Sequence, residues 1–184
     1  MVGDFMKRCK WANINNPLYI KYHDLEWGVP SYDDYYLFEM LVLESFQAGL
    51  SWECILNKRE SFRESFDNFD YIKISNYSDE KIEELKNNSS IVRNSLKIKA
   101  AIKNAKVFIN IQKEFGTFSN YIWKFTNNKI IYNVHKTSNK LSDTISYDLK
   151  KRGMSFVGTT IIYSYLQAIG IINDHEETCD LNIK

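Results

Sequence analysis

The sequence predicts an all-α fold in one domain over residues 1–184, with two lobes that share a core. The 184 residues include only two prolines and seven glycines, and long runs of Leu, Ile, Lys and Glu favour helix over sheet. Apolar residues make up 44 % of the chain and aromatic residues 15 %, which is typical of a globular protein with a sizeable core. Apolar spacing at helical periods is the third indication.

The first helices are marked by their caps. Asn16-Pro17 is an N-cap followed by proline at the first helical position, so a short helix should run to about residue 25. Ser31 or Asp33 can cap a longer helix that Gly49 ends. Further helical segments are expected at 52–59, 62–69, 79–86, 94–115, 142–152 and 159–169. Residues 117–140 are less regular and fit either a short helix or an extended piece.

One carboxylate lies on an apolar helical face. Leu37, Leu41, Glu44 and Ala48 follow one another at intervals of four, three and four residues, which is one side of a helix. Burying an isolated ionised carboxylate is costly, so Glu44 must be paired, protonated or available to a cationic ligand.

Aromatic side chains surround this helix in sequence. Trp11, Tyr19, Tyr22 and Trp27 precede it, and Trp52 follows it. Such residues usually belong to a core. Aromatic rings around one anionic group are also how proteins hold flat, positively charged ligands, through stacking and cation–π attraction.

Two Cys/His pairs lie near opposite ends of the chain. Cys9 accompanies His23, while His175 and Cys179 are one helical turn apart. Together they make a Cys2His2 set that would fill a tetrahedral zinc shell and tie the two ends of the chain together structurally. The alternative is two buried cysteines and two ordinary surface histidines.

Two glycines bound a hairpin in the final third, GMSFVG at 153–158, between two helices. The second helix would open with the unpaired N–H groups of Gly158, Thr159 and Thr160, which form an anion site. A plain helical hairpin is the alternative.

The charge pattern and the targeting signals limit the classes of partner that the protein can bind. A formal charge of +1 gives no global basic field, yet residues 85–112 and 149–173 contain no acidic residue. The stripe of Lys99, Lys103 and Lys106 is therefore either a solvated face or part of a nucleic-acid surface. No signal-peptide or membrane-length apolar run occurs, so we expect a cytoplasmic protein without a membrane partner.

These stretches together resemble the DNA-3-methyladenine glycosylase I family of the helix-hairpin-helix superfamily. The resemblance is carried by RCKWANINNPLYIKYHDLEWGVP, LFEMLVLESFQAGLSW, LNKRESFRESF and KKRGMSFVGTTIIYSYLQAIGIINDH, while residues 68–147 match loosely. It implies a helix-hairpin-helix glycosylase architecture. It also implies a monofunctional enzyme that flips 3-methyladenine out of alkylated duplex DNA, hydrolyses its N-glycosidic bond, leaves an abasic site and releases the free base. We expect a monomer.

The resemblance assigns roles to residues of this chain. Cys9, His23, His175 and Cys179 match the family's structural zinc ligands. The catalytic positions are Glu44, Tyr22 and Trp52, and the other base-binding positions are Trp11, Tyr19 and Trp27. Leu50 matches the residue that wedges into the duplex, and Gly158, Thr159 and Thr160 match the phosphate-gripping hairpin.

Some positions depart from the family pattern. Ser45 and Phe46 stand where some members have small or amide residues, which predicts a changed pocket wall behind Glu44. The superfamily's usual catalytic aspartate follows the hairpin's second helix, where Asp174 precedes the expected metal ligand His175, so we give Asp174 no general-base role. A zinc-stapled binder of damaged DNA without catalysis, or a helical protein-interaction domain, would be the other functional classes.

Overall fold

The computed structural model describes residues 6–132 and 134–182, and their architecture is mainly helical. The helices are α1 (Pro17–Leu25), α2 (Asp34–Gln47), α3 (Trp52–Asn57), α4 (Arg59–Ser65), α5 (Tyr71–Ser75), α6 (Asp79–Asn87), α7 (Ser95–Phe115), α8 (Phe118–Trp123), α9 (Lys140–Lys151) and α10 (Thr159–Ala168). Short 3-10 turns follow α4 and α8. Two strands, β1 (Ile131–Tyr132) and β2 (Ile172–Asn173), pair in parallel.

Side-chain caps set the helix starts that the sequence predicts. Asn16 accepts from Leu18 N at the start of α1, and Asp33, not Ser31, caps α2. Two local predictions were incomplete. The helix expected over 52–59 breaks at Lys58, and α8 resolves the ambiguous segment after residue 117 as helix. The pairing of β1 with β2 has no local signal, because it joins residues far apart in the chain.

Helix α2 lies at the centre of the core. Every residue from 37 to 46 is buried, because α3, α7, α8 and α10 all pack around the helix. This is why Glu44 is enclosed on all sides and not only along its apolar stripe.

The start of α2 is joined to the end of α10 by a close backbone approach. Gly170 has φ +74°, and a Cβ there would lie 2.2 Å from the Val29 carbonyl carbon. Ser31 N donates to Ile169 O at 3.0 Å beside it. The N-terminal and C-terminal segments therefore meet at one side of the molecule. Among the described helices, none combines the length and apolarity needed to cross a membrane.

Candidate active site and metal centre

A cavity of about 280 Å³ opens where the two ends of the chain meet. Its wall includes all six aromatic and acidic residues that the sequence singled out for a pocket, namely Trp11, Tyr19, Tyr22, Trp27, Glu44 and Trp52. The other lining residues come mainly from α10 and from the C-terminal segment. The cavity is small for a ligand site, and it suits a single planar group.

Glu44 is the unusual group of this cavity. Its side chain belongs to a residue only 3 % exposed, and its Oε2 atom is buried without a hydrogen-bond partner within residues 6–132 and 134–182. Burial raises the pKa of this carboxyl group to about 8. The chain itself therefore supplies no partner for the charge, and the carboxyl group is largely protonated at neutral pH while the pocket is empty.

The aromatic side chains of the cavity wall differ in how deeply they are buried. Tyr22 and Trp52 are buried with ring centroids 5.1 Å apart, and the Trp52 Nε1 donor also lacks a partner in the described part of the chain. Trp11 is exposed at the mouth, 4.6 Å from the Trp27 ring and 5.8 Å from that of Tyr19. A flat ligand entering past Trp11 would reach two unsatisfied polar atoms among the rings.

Five polar lining residues were missed from the sequence, namely Gln47, His135, Ser164, Gln167 and Glu176. Gln47 follows Glu44 by three residues on α2, and Ser164 and Gln167 are three apart on α10. Helical spacing from Glu44 could have found Gln47. Ser45 and Phe46, from which a changed wall behind Glu44 is predicted, do not themselves line the cavity. Their neighbour Gln47 does, whereas Phe46 packs in the core against the rings of α4.

Asp174 lines the cavity but is fully engaged. Its Oδ1 accepts from the backbone N–H groups of Val134 and His135 at 2.6 and 3.1 Å. Its Oδ2 accepts from the Tyr163 hydroxyl at 2.6 Å and from Gln167 Nε2 at 2.9 Å. A carboxylate that accepts from four donors is held firmly in place by the surrounding fold.

The two Cys/His pairs converge into one buried cluster. The ligand atoms of Cys9, His23, His175 and Cys179 all lie within 4.8 Å of one another. The alternative of surface histidines is wrong, because both rings are buried. The His175 Nδ1 atom is 3.5 Å from each cysteine Sγ, and the Cys179 Sγ is 3.7 Å from His23 Nε2. A tetrahedral ion bound at ordinary zinc distances would separate sulfur and nitrogen by about 3.6 Å.

The outer ring nitrogens are held as in a metal site. His23 Nδ1 lies 2.8 Å from Asp24 Oδ1, and His175 Nε2 lies 3.2 Å from Trp27 O. Such bonds fix the ring orientation of metal ligands. Burial raises the pKa of the Cys9 thiol to about 12 and lowers that of His175 to about 4. The donor set could thus bind a metal ion, whose charge would compensate thiolates in this buried place.

The hairpin lies between α9 and α10, as the sequence predicts. Gly158 is the N-cap of α10 and offers no side-chain cap, so the first N–H groups of the helix remain available. A Cβ at Gly158 would meet no atom within 4 Å. The Thr159 hydroxyl is instead engaged within the hairpin, with Asp143 and Ser142. Leu50, 42 % exposed, lines a shallow recess beside Thr160 that also reaches Glu44.

A comparison of the sequence with known families agrees with this geometry. The sequence profile of the methyladenine glycosylase family matches residues 11–182, which include both halves of the pocket and three of the four Cys/His residues. The chain belongs to the methyladenine glycosylase family. Membership means that the pocket and the hairpin are parts of a DNA glycosylase, which excludes the protein-interaction class.

Individual relatives of this methyladenine glycosylase are similar over nearly their whole length. DNA-3-methyladenine glycosylase 1 of Escherichia coli (strain K12) is 43 % identical over 180 residues, covering 95 % of this chain and 96 % of that protein. A crystal structure of 3-methyladenine DNA glycosylase I is 42 % identical, covers 96 % of this chain and 100 % of its own, and has a TM-score of 0.92. A variant of 3-methyladenine DNA glycosylase I in complex with 3-methyladenine is 32 % identical, with a TM-score of 0.92 and coverage of 97 % and 99 %.

Proposed function

We propose that this chain hydrolyses the N-glycosidic bond of 3-methyladenine in alkylated duplex DNA, leaving an abasic site and releasing the free base. The glycosylase activity rests on family membership and on relatives of that name. The observation in this molecule that carries the substrate is the unpartnered Glu44 carboxyl group inside an aromatic cavity. We take Glu44, Tyr22 and Trp52 as the groups that act on the flipped base, with Trp11, Tyr19 and Trp27 completing its pocket.

The chemistry follows from the charge of the lesion. Alkylation at N3 makes the nucleotide cationic, so its glycosidic bond is already weakened and its base leaves without an acid. Extracting the base from the stack costs a few kcal/mol, and stacking of about 1–3 kcal/mol per aromatic contact can offset that cost. Glu44 stabilises the positive charge and accepts hydrogen bonds from the base, whereas normal adenine gains less.

The direct test is the base released from methylated duplex DNA, identified by chromatography. We expect free 3-methyladenine from the alkylated duplex and no adenine from an undamaged duplex of the same sequence. Retention of the damaged duplex without release of a base would support the noncatalytic binder instead. A mono-functional enzyme leaves the abasic strand uncut, so strand cleavage is measured in the same samples.

The metal is proposed to be zinc, held by Cys9, His23, His175 and Cys179 in a closed structural site. When bound, zinc would supply folding energy, because its four ligands come from opposite ends of the chain. Metal analysis of protein purified without chelator should find about one zinc per chain. Cys179→Ser should lower the unfolding temperature while leaving any folded pocket able to bind base. Protein that is folded and free of zinc would contradict this assignment.

The duplex is proposed to lie across a helix-hairpin-helix unit. The N–H groups of Gly158, Thr159 and Thr160 would grip a phosphate, and Leu50 would fill the gap left by the flipped base. Exposed lysines on α7 can extend this contact. Lys99, Lys103 and Lys106 form no ion pair with a described residue, and Lys103 Nζ reaches Ser155 Oγ of the hairpin at 3.4 Å. Binding should therefore weaken as salt rises.

Gly158 allows a sharp test of the hairpin. Its φ of −63° is ordinary for any residue and a Cβ meets nothing, so Gly158→Ala should fold normally. It should nevertheless weaken binding to damaged and undamaged duplexes equally, since phosphate contacts do not depend on the base. Gly158→Asp should weaken both further, through its negative charge. If neither variant changes duplex binding, the phosphate site lies elsewhere, and the α7 lysines become the next candidates.

We further propose that the chain is one domain over residues 1–184, with two lobes that flank the pocket. Pocket and hairpin belong to the same chain, so a monomer suffices for activity. The free cysteines suit a reducing compartment, and we propose the cytoplasm.

A further inference from the structure

The hairpin turn is held from outside by three different helices. Asn104 of α7 both donates to Ser155 O and accepts from Ser155 N, at 2.9 Å each. The Ser146 hydroxyl of α9 donates to Val157 O at 2.7 Å. The remaining carbonyl of this series, that of Phe156, lies 3.0 Å from the Ser45 hydroxyl of α2. Each turn residue from 155 to 157 therefore has its own tie.

The tie to α2 differs from the others because of its neighbour. Ser45 directly follows Glu44, and consecutive side chains on a helix point about 100° apart, so Glu44 faces the cavity while Ser45 faces the hairpin. The Ser45 residue is 4 % exposed. Its single hydroxyl proton lies between Leu41 O at 2.8 Å and Phe156 O. Among residues 6–132 and 134–182 it makes the one side-chain hydrogen bond from α2 to the turn.

The turn needs such support at this residue. Phe156 has φ +56°, a left-handed conformation that a bulky residue adopts only when its surroundings impose it. The Ser45 contact therefore fixes the strained residue of the turn directly to the helix that carries the pocket carboxylate.

We propose that Ser45 is a positioning residue that sets the position of the phosphate-gripping hairpin relative to the base pocket. We call this relative position the register. This inference rests on the proposed function. Free base engages the pocket without the hairpin, and undamaged duplex engages the hairpin and the α7 lysines without the pocket, so neither needs the register. A lesion within a duplex must engage both at once, and a misplacement of about 1 Å can slow such a reaction by up to about 10²-fold.

The test measures binding of free base, binding of undamaged duplex and excision of a lesion from a duplex. It compares Ser45→Ala with Ser146→Ala, which is the matched control. Both changes remove one buried hydroxyl donor from the same turn, but Ser146 lies on α9 and not on the helix of Glu44. The Ser146 tie to Val157, directly before Gly158 of the phosphate site, remains in Ser45→Ala, so we expect affinities for free 3-methyladenine and for undamaged duplex within about twofold of the parent. The single-turnover excision rate at saturating enzyme should fall about tenfold. Ser45→Thr, which keeps the hydroxyl, should restore that rate.

Ser146→Ala should show the opposite pattern, with weaker binding to every duplex and an unchanged saturating rate. If Ser45→Ala behaved like Ser146→Ala, Ser45 would only support the turn, and the proposal would be overturned. Loss of free-base binding in Ser45→Ala would overturn it as well, since Ser45 would then shape the pocket. Should Ser45→Ala not fold, Ser45→Cys, which keeps the size of the side chain but replaces the hydroxyl by a weak S–H donor, gives the same comparison.

Failure of the proposed function would be seen separately, as a parent protein that releases no base. In that case the register is measured by a coupling, namely the change in affinity for free 3-methyladenine when an abasic duplex is bound. Ser45→Ala should weaken this coupling, and Ser146→Ala should preserve it. Equal coupling in the parent and in Ser45→Ala would overturn the proposal without reference to catalysis.

Discussion

Helix α2 carries two buried glutamates, Glu39 and Glu44, in opposite electrostatic situations. Glu39 is 7 % exposed, and its carboxylate lies 2.7 Å from Arg59 Nε and 2.8 Å from Arg63 Nε. Arg59 is in turn paired with Glu26 at 2.7 Å. Glu44 lies one and a half turns further along, and its buried Oε2 has no partner anywhere in the described chain.

The difference supports the proposal that Glu39 is a structural carboxylate and Glu44 a functional one. The charge of Glu39 is compensated inside the fold, so the native state depends on it. The charge of Glu44 is compensated by nothing in the fold, and burial alone raises its pKa to about 8. A group that weakens the empty protein and is nevertheless present at the wall of a cavity supports the proposal that its partner is a ligand.

The largest expected effect is the loss of the Glu39 charge. Glu39→Gln leaves Arg59 with Glu26 but takes an ionic partner from both arginines. Removing one member of a buried pair costs about 3–5 kcal/mol, and we expect the lower end of that range in a urea titration at pH 7. Glu44→Gln, measured in parallel, should leave the unfolding free energy unchanged or raise it. Equal losses in the two variants would mean that both carboxylates are structural.

The sequence distinguishes these two glutamates only in part. Glu44 was found because its partners on the stripe, Leu37 and Leu41, are local and apolar. Glu39 gave no signal, because Arg59 and Arg63 lie 20 and 24 residues away and meet it only in the folded chain.

In the rest of the fold and the site, too, local sequence patterns do not reveal contacts between residues that are distant in the chain. Helices with a side-chain cap, such as α1 after Asn16, were predicted close to their observed bounds. The β1–β2 pair and the bonds of Asp174 to the backbone of Val134 and His135 depend on contacts across about 40 residues, for which helical periodicity carries no information. The Cys/His cluster could be predicted although it joins both ends of the chain, because the residue types and the four-residue step from His175 to Cys179 are typical of a metal site.

The next effect is the contribution of Glu44 to the pH dependence of stability, measured as the difference between the parent and Glu44→Gln, because the lowered pKa of His175 acts in the opposite direction in both proteins. Its pKa is about 8 in the folded protein against an ordinary value of 4.5, so the folded state holds a proton that the unfolded state has released. Stability is therefore greatest below pH 4.5 as far as this group is concerned, and it falls as pH rises toward 8. Between pH 5.5 and 7.5 the loss should be about 2–3 kcal/mol, at 1.36 kcal/mol per pH unit.

Urea titrations at pH 5.5 and 7.5 give the change of the unfolding free energy with pH, and the two glutamate variants show how much of it comes from Glu44. Glu44→Gln should remove this contribution, while Glu39→Gln should keep it despite lower stability throughout. The same change with pH in the parent and in Glu44→Gln would assign it to other groups and would leave Glu44 with an ordinary pKa.

The smallest expected effect in free energy is the one that decides function. Glu44→Gln keeps the size and hydrogen-bonding capacity of the side chain but removes the charge that faces a cationic base. A hydrogen bond to a charged group contributes about 1.5–3 kcal/mol, so single-turnover excision of 3-methyladenine should fall by about 10- to 150-fold. Trp52→Ala should reduce excision by a second route, lost stacking of about 1–3 kcal/mol, and should also weaken binding of neutral free base.

Glu39→Gln is the control for this measurement, because it lies on the same helix outside the cavity. At a temperature where it remains folded, it should excise 3-methyladenine at the parent rate. If Glu44→Gln excises at the parent rate while Glu39→Gln does not, the roles of the two carboxylates are reversed. The unpartnered oxygen of Glu44 would then be a feature of the empty cavity and not the recognition group, and Trp52 with Tyr22 would have to discriminate the lesion by shape and stacking.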